Sequence, residues 1–458
     1  MSLPRFAVLG PPNKGKSCIV AALARDESIG ISDTPCTTVS KAEYPMKVDG
    51  RTLYVLYDTP GFQRARRVLD WLKSKNASPT ERPSVIREFV EVHTASNEFR
   101  DECELLAPLI EETGIIYVVD GSVPYGDEYL PEMEILQWTG RPRMALINPI
   151  GPADHIREWE TALGQFFNLT RVFNPLSADF TRQSDLLQAL GELHPAWKPS
   201  LTEALEFLRQ DRRNKRERSA DIITDMLVEM ITHRIEKNLP IDGDVQRETR
   251  SLEEEFQKHL QKLEIRARRR VEELYHHVGI ERLEAALPAL QSSSLFSDAS
   301  WRLFGLDRKT LASLGAASGA IAGGVIDVAV GGSSLLAGSL IGAGAGALSA
   351  FIGGHQLSKV RILNREAGRK QLTVGPILKT EFAHMVFERA RVHHSLVANR
   401  SHAMRNKLDL NEISNELLES PERGDLQQLN GCFHKIPRQD PSLQRATLRQ
   451  SVLKLLAG

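Results

Sequence analysis

The sequence predicts an α/β fold for its first part, a mostly parallel sheet with helices on both faces. A mainly α-helical C-terminal half follows, with a Gly-rich helical hairpin inside it. Three observations carry this. Strand-like and helix-like patterns alternate from the start to about residue 198, as in successive βαβ units. Apolar residues then recur at steps of three and four over long, otherwise charged stretches. Residues 311–354 consist almost wholly of Gly, Ala, Ser and aliphatic side chains. The boundaries that follow are 1–198, 199–300 (a helical hairpin or stalk), 301–356 (the Gly-rich hairpin) and 357–458.

The chain of 458 residues is long enough for two to four domains. Its net charge of -1 offers no bulk attraction for nucleic acid, so nucleic acid is not an expected partner. Cys18, Cys36, Cys103 and Cys432 are scattered without metal spacing, which suits a reduced, cytoplasmic chain. No basic region followed by an apolar run opens the sequence, so no signal peptide is expected.

Phe6 to Leu9 reads as a short buried strand and Ser17 to Leu23 as the start of a helix. Between them runs Gly10-Pro11-Pro12-Asn13-Lys14-Gly15-Lys16-Ser17, which fits G-x-x-x-x-G-K-[ST]. In that strand–loop–helix context the glycines let the backbone turn its N–H groups inward, and with the helix N-terminus these form a nest for phosphate oxygens. Lys16 places a charge at the β- and γ-phosphates, and Ser17 a hydroxyl on Mg²⁺. The candidate nucleotide-binding set is Gly10, Asn13, Lys14, Gly15, Lys16, Ser17 and Cys18.

A polar loop with Thr37-Thr38 comes next. Lys41 to Val48 and Thr52 to Tyr57 then flank Asp49-Gly50, a hairpin signal. The second of these strands runs into Asp58-Thr59-Pro60-Gly61. There the Asp is suited to Mg²⁺, usually through water, and the Gly N–H to a γ-phosphate. A long segment precedes the strand Gly114 to Asp120, with Leu69 to Lys73 and Ile86 to Val92 as candidate helices. It reads either as an insertion that packs on the sheet or as a partner-sensing element attached to a moving segment. Arg143 to Ile147 is a further strand, ending at Asn148-Pro149-Ile150-Gly151, and Ser177-Ala178-Asp179 follows the strand Arg171 to Phe173.

The form G-x-P-N-x-G-K-S, the Thr-Thr pair and D-T-P-G together resemble the translation-factor-class GTPases that include Era, EngA and the tRNA-modification GTPase. The resemblance implies that Thr38 is the switch I threonine, which joins Ser17 and Asp58 in the metal set. It makes Lys16, Thr38 and Gly61 the catalytic set, with Asp58 and Gly61 opening switch II. Phe62 stands where Ras-type proteins carry a catalytic Gln. Where the family has N-K-x-D, this chain keeps Asn148 only. Gly151 replaces the aspartate that reads guanine, and Asp154 or Asp179 is left as a substitute. Ser177 and Ala178 resemble the S-A-x base loop. The resemblance implies that Asn13 helps hold a K⁺ ion beside the phosphates; the other open reading is that Asn13 only caps the loop by hydrogen bonding.

Leu201 to Lys237 reads as a helix ended by Asn238-Leu239-Pro240. Leu252, Phe256, Leu260, Leu263, Ala267 and Val271 stripe a second one. His276-His277 and His393-His394 lack the spacing of a helical metal pair and read as structural. In 311–354, glycines four apart (Gly315, Gly319, Gly323 and Gly338, Gly342, Gly346) let two helices pack closely. Each arm is long enough for a bilayer core, and the cations sit at the bases. Gains of about 2 to 4 kcal/mol from the first arm's aliphatics nearly balance about 2.5 to 3.5 for Asp327. Insertion in a membrane and packing within a soluble half are both open. Lys359 to Leu363 and Lys370 to Val374 suggest a β-hairpin. Pro376 to Asn399, Leu408 to Glu419 and Pro441 to Leu456 suggest helices. Most of the chain resembles bacterial GTPases whose C-terminal half is catalogued only as a domain of unknown function, with the specific motifs in the first 180 residues.

The expected protein is a Mg²⁺-dependent GTP/GDP switch of the cytoplasm. It is expected to be peripheral to, or hairpin-inserted in, the inner membrane, with a membrane or membrane-protein partner. The resemblance adds a homodimer through the GTPase domain as a further expectation. The rival readings are a soluble assembly or RNA-associated GTPase and a non-hydrolysing nucleotide-binding scaffold.

Overall fold

The computed structural model describes residues 3–24, 42–48, 51–95, 97–240, 242–275, 361–365, 369–399 and 423–457. Thr38, the Gly-rich stretch 311–354, His276-His277 and the helix expected at 408–419 lie outside the described residues. The chain forms two compact units that divide at Asp211.

The first unit is a six-stranded sheet in the order β2-β3-β1-β4-β5-β6. Its strands are β1 (Arg5–Leu9), β2 (Ala42–Val48), β3 (Arg51–Asp58), β4 (Gly114–Asp120), β5 (Arg143–Asn148) and β6 (Leu169–Val172). All neighbours are parallel except β2, which forms the expected hairpin with β3. The apolar runs are continuous because both faces are covered. Along β4, Ile115, Tyr117 and Val119 enter one core with α2 (Ala65–Ser74), α3 (Arg82–His93), α4 (Arg100–Ile110), α5 (Leu130–Trp138) and α6 (Ile156–Leu163). Ile116 and Val118 enter the other, with α1 (Lys16–Ala24), α7 (Phe180–Glu192) and the start of α8 (Lys198–Thr232). The long segment after Gly61 therefore holds three helices where the sequence suggested two. Phe89, Phe99 and Leu106 tie them into the core.

The second unit contains the rest of α8, β7 (Ile235–Pro240), α9 (Val245–Tyr275), β8 (Arg361–Arg365), β9 (Arg369–Val374), α10 (Thr380–Asn399), α11 (Arg423–Lys435) and α12 (Pro441–Leu455). The β8–β9 hairpin is as expected. The expected helix through Lys237 is corrected. It stops at Thr232, and residues 235–240 form β7, antiparallel to β9 in a three-stranded sheet. The local cause is Gly375, with φ +94°, whose missing Cβ lets the His233 carbonyl approach; a Cβ there would lie 2.3 Å from that oxygen. Pro240 is tolerated because it ends the strand. Leu227, Met230, Phe256, Leu260, Phe382, Phe387, Phe433 and Val452 build the core.

Each unit buries charge, with opposite outcomes. In the first, Glu132 accepts a hydrogen bond from the Tyr117 hydroxyl at 2.9 Å. Burial pushes its carboxyl up to about 8, against the opposing pull of that hydroxyl and of Lys16. In the second, Arg389 donates to Glu264 at 2.8 and 3.2 Å, and Arg268 donates to it at 2.5 Å. Burial alone would raise the Glu264 carboxyl, but the two guanidinium groups outweigh it and hold it below the usual range. His393 and His394 are structural, bonded to Glu272 at 2.9 Å and to the Tyr275 hydroxyl at 3.0 Å.

A raised carboxyl stabilises the fold fully below its ordinary value of 4.5, and that stability is lost as pH rises through about 8. Relative to Glu132→Gln, the parent should therefore lose on the order of a few kcal/mol across that window. Urea melts of the first unit's transition at several pH values would show this, and parallel profiles for the two proteins would contradict it. Arg389→Ala strips Glu264 of one buried partner and should cost about 3 to 5 kcal/mol in the second unit's transition.

Candidate nucleotide site

The glycine loop is shaped by what it touches. Gly10 has φ +133°, and a Cβ there would meet the Val118 carbonyl oxygen at 2.3 Å. Gly15 has φ +85°, and a Cβ there would meet the Asn148 amide at 2.4 Å. The loop thus runs flush against the ends of β4 and β5, which only glycine permits. Asn13, exposed at the tip, is left-handed with φ 61°, a conformation Asn tolerates better than most residues. Asn148 Nδ2 donates to the Lys14 carbonyl at 3.1 Å, fixing the loop to the end of β5.

Lys16 is buried, and its Nζ donates to the Pro11 carbonyl at 2.8 Å, so its ammonium lies within the loop's own curve. Ser17 Oγ donates to Asp58 Oδ2 at 2.7 Å, joining the first turn of α1 to the end of β3. A hydroxyl and a carboxylate brought together here are the hard oxygen donors that suit Mg²⁺, so these residues fit that ion. Thr59 Oγ1 donates to the Val8 carbonyl at 2.7 Å. Gly61 lies against the loop, where a Cβ would meet Pro12 N at 2.6 Å. Phe62 is buried in the α2–α6 core, at 4% exposure.

Lys14 pairs with Asp120, at the end of β4, at 3.3 Å. Burial works to raise the Asp120 carboxyl, but the Ser122 hydroxyl and N–H and the Lys14 ammonium prevail and hold it low. Asp120 was not singled out from sequence. Its signal was a strand-terminal carboxylate in register with Asn148.

On the base side, Asn174 Nδ2 donates to the Pro149 carbonyl at 3.1 Å, and Asn174 Oδ1 accepts from Leu176 N at 2.9 Å. This links Asn148-Pro149-Ile150-Gly151 to the Ser177-Ala178 loop. Ala178 is buried, with its carbonyl accepting from Gln183 Nε2 at 3.1 Å, and Ser177 is exposed. Asp179 caps α7, accepting from Arg182 N at 2.9 Å, so that carboxylate is engaged. Asp154 is exposed in the loop before α6. Cys18 is half-buried in the first turn of α1. Gly10, Asn13, Lys14, Gly15, Lys16, Ser17, Asp58, Gly61 and Asn148 are brought together. Thr38 lies outside the described residues.

Residues 5–148 match the family described as 50S ribosome-binding GTPase, and residues 160–457 match the domain of unknown function DUF3482. Among similar proteins are GTPase Der of Aromatoleum aromaticum, 34% identical over 120 residues, covering 25% of this chain and 26% of that protein. GTPase Der of Caldanaerobacter subterraneus subsp. tengcongensis is 36% identical over 91 residues, covering 20% and 19%. GTPase Der of Desulforudis audaxviator is 42% identical over 64 residues, covering 14% of each chain. The chain thus spans about a quarter or less of the length of these relatives. The DUF3482 match covers more than half of the sequence, and the protein belongs to that family, with a GTPase-family domain at residues 5–148.

Proposed function

We propose that this protein binds and hydrolyses GTP as a Mg²⁺-dependent switch. The observation that carries the reading is the loop with Lys16 curled inside it and Ser17 joined to Asp58 at 2.7 Å. Loop N–H groups and the α1 N-terminus bind the phosphates, and Lys16 neutralises charge at the β- and γ-phosphates. Ser17 and Asp58, with Thr38 of the preceding loop, would hold Mg²⁺, which neutralises charge on the phosphates. Water attacks the γ-phosphorus in line, and the Gly61 N–H orients the γ-phosphate. Phe62 offers no polar group, so catalysis rests on positioning and charge. A K⁺ ion at Asn13 belongs to the same proposal, and the hydrolysis assay is therefore run in K⁺ and Na⁺ salts.

Lys16→Ala should abolish binding of labelled GTP while the domain stays folded; parental affinity in that variant would sink the reading. Guanine preference should be weak, because glycine stands where the family's aspartate would be. Gly151→Asp asks for no left-handed backbone but needs Ser122 to give by a few tenths of an ångström, since a Cβ at 151 would lie 3.3 Å from Ser122 Cβ. It should improve GTP over ATP in competition by about tenfold or more, the worth of a charged hydrogen bond.

The proposal includes docking at the inner membrane through 311–354, and a homodimer through the GTPase domain. Support comes from arm length, glycine spacing and cations at the bases. Among the described residues no helix is long and apolar enough to cross a membrane. Full-length protein should resist a carbonate wash of membranes and a deletion of 311–354 should not. Full-length protein found wholly in the soluble fraction would defeat this part of the reading.

A further inference from the structure

We propose that Glu102 is a positioning residue for the γ-phosphate-sensing segment 58–64, and couples helices α2–α4 to the nucleotide state. This rests on the GTPase reading above. Glu102 lies in the first turn of α4 and is fully buried. Its Oε1 accepts from the backbone N–H of Arg64 at 2.6 Å and of Gln63 at 3.2 Å. Those amides precede α2, whose N-cap residue Arg64 makes no side-chain cap of its own. A neighbouring Ser or Asp would serve that purpose more cheaply. Instead a carboxylate from 38 residues away is buried to do it, with its Oε2 making no hydrogen bond. Burying a carboxylate is costly, and the pairing with two amides offsets part of that cost.

The anchors leave the segment little slack. Thr59 is tied to β1 through the Val8 carbonyl. Gln63 and Arg64 are tied to α4 through Glu102. Arg64 and Arg67 also bond Glu98, just before α4. Pro60, Gly61 and Phe62 alone connect the two anchors, and Phe62 is packed in the core. Gly61 is thereby held against Pro12 of the glycine loop. Switch segments in GTPases are ordered by γ-phosphate contacts and released on hydrolysis. Here Glu102 supplies much of that order in advance, so the Gly61 N–H meets the γ-phosphate without first paying the entropy of folding the loop. In return, any shift of Gly61 pulls on α4.

The test uses the full chain. Affinities for GDP and for a non-hydrolysable GTP analogue, and kcat and KM for GTP, are measured for the parent, Glu102→Ala and Glu102→Gln. In Glu102→Ala the analogue-to-GDP affinity ratio and kcat should each fall by about tenfold, with GDP affinity unchanged, because one or two charge-assisted hydrogen bonds are lost. Glu102→Gln keeps an oxygen acceptor and should recover part of both. Ratio and kcat equal to the parent's in both variants would overturn the proposal. A parent that binds no GTP defeats the functional reading instead. If Glu102→Ala loses GDP as well, amide hydrogen exchange on the parent decides. Gln63 and Arg64 protected with GDP and with the analogue alike, while Gly61 changes, supports the proposal. Rapid exchange at Gln63 and Arg64 with GDP overturns it.

Discussion

The candidate site depends on one steric constraint: the glycine loop lies against the backbone of β4 and the Asn148 side chain at the end of β5. At Gly10 and Gly15 there is no room for a Cβ, and both positions are left-handed. That contact fixes the loop's path, and the path fixes the rest. The Lys14 carbonyl is brought to the Asn148 amide, Lys16 curls back onto Pro11, and α1 begins with Ser17 beside Asp58. The sheet order matters for the same reason. With β1 between β3 and β4, the loop after β1 meets the end of β3 on one side and β4 on the other.

Buried charge is handled according to what faces it. Glu264 has two guanidinium partners and stays ionised in a core that would otherwise neutralise it. Glu132 has, among the described residues, a hydroxyl as its hydrogen-bond partner and Lys16 as a weaker opposing charge, and burial wins. The contrast explains why the two carboxylates differ so far in their affinity for a proton, although each sits on a helix packed in a core. Asp120, buried as well but facing Lys14 and Ser122, falls on the ionised side.

The strands of the first unit were legible because short apolar runs ended at turn residues and at chemistry-bearing motifs. Asp58 at the end of β3 and Asn148 at the end of β5 stand as the motifs implied. What sequence could not show was long-range: Glu102 reaches back to Gln63 and Arg64, and Asp120 to Lys14. Nothing local distinguishes those carboxylates from the many others on helices and strand ends. In the second unit, the stretch after Thr232 had helical neighbours and a Pro that suggested a stop. Its strand character comes from pairing with β9, nearly 140 residues later. Local propensity carries no trace of such a partner.

Position 62 joins the fold to the proposed chemistry. Phe62 shares the core with Phe89, Phe99 and Leu106, on helices of the long segment between Gly61 and β4. A glutamine at 62 would have to bury an amide there without a partner or leave the core, either of which costs stability. Phe62 and the helices α2–α4 are therefore one feature. The segment gains an apolar anchor, and the proposed reaction would have no water-orienting amide at that position. In the proposed reaction, hydrolysis would draw on how closely the loop, Lys16 and Gly61 are held at the γ-phosphate, and the proposed anchoring of the segment after Gly61 would provide that closeness.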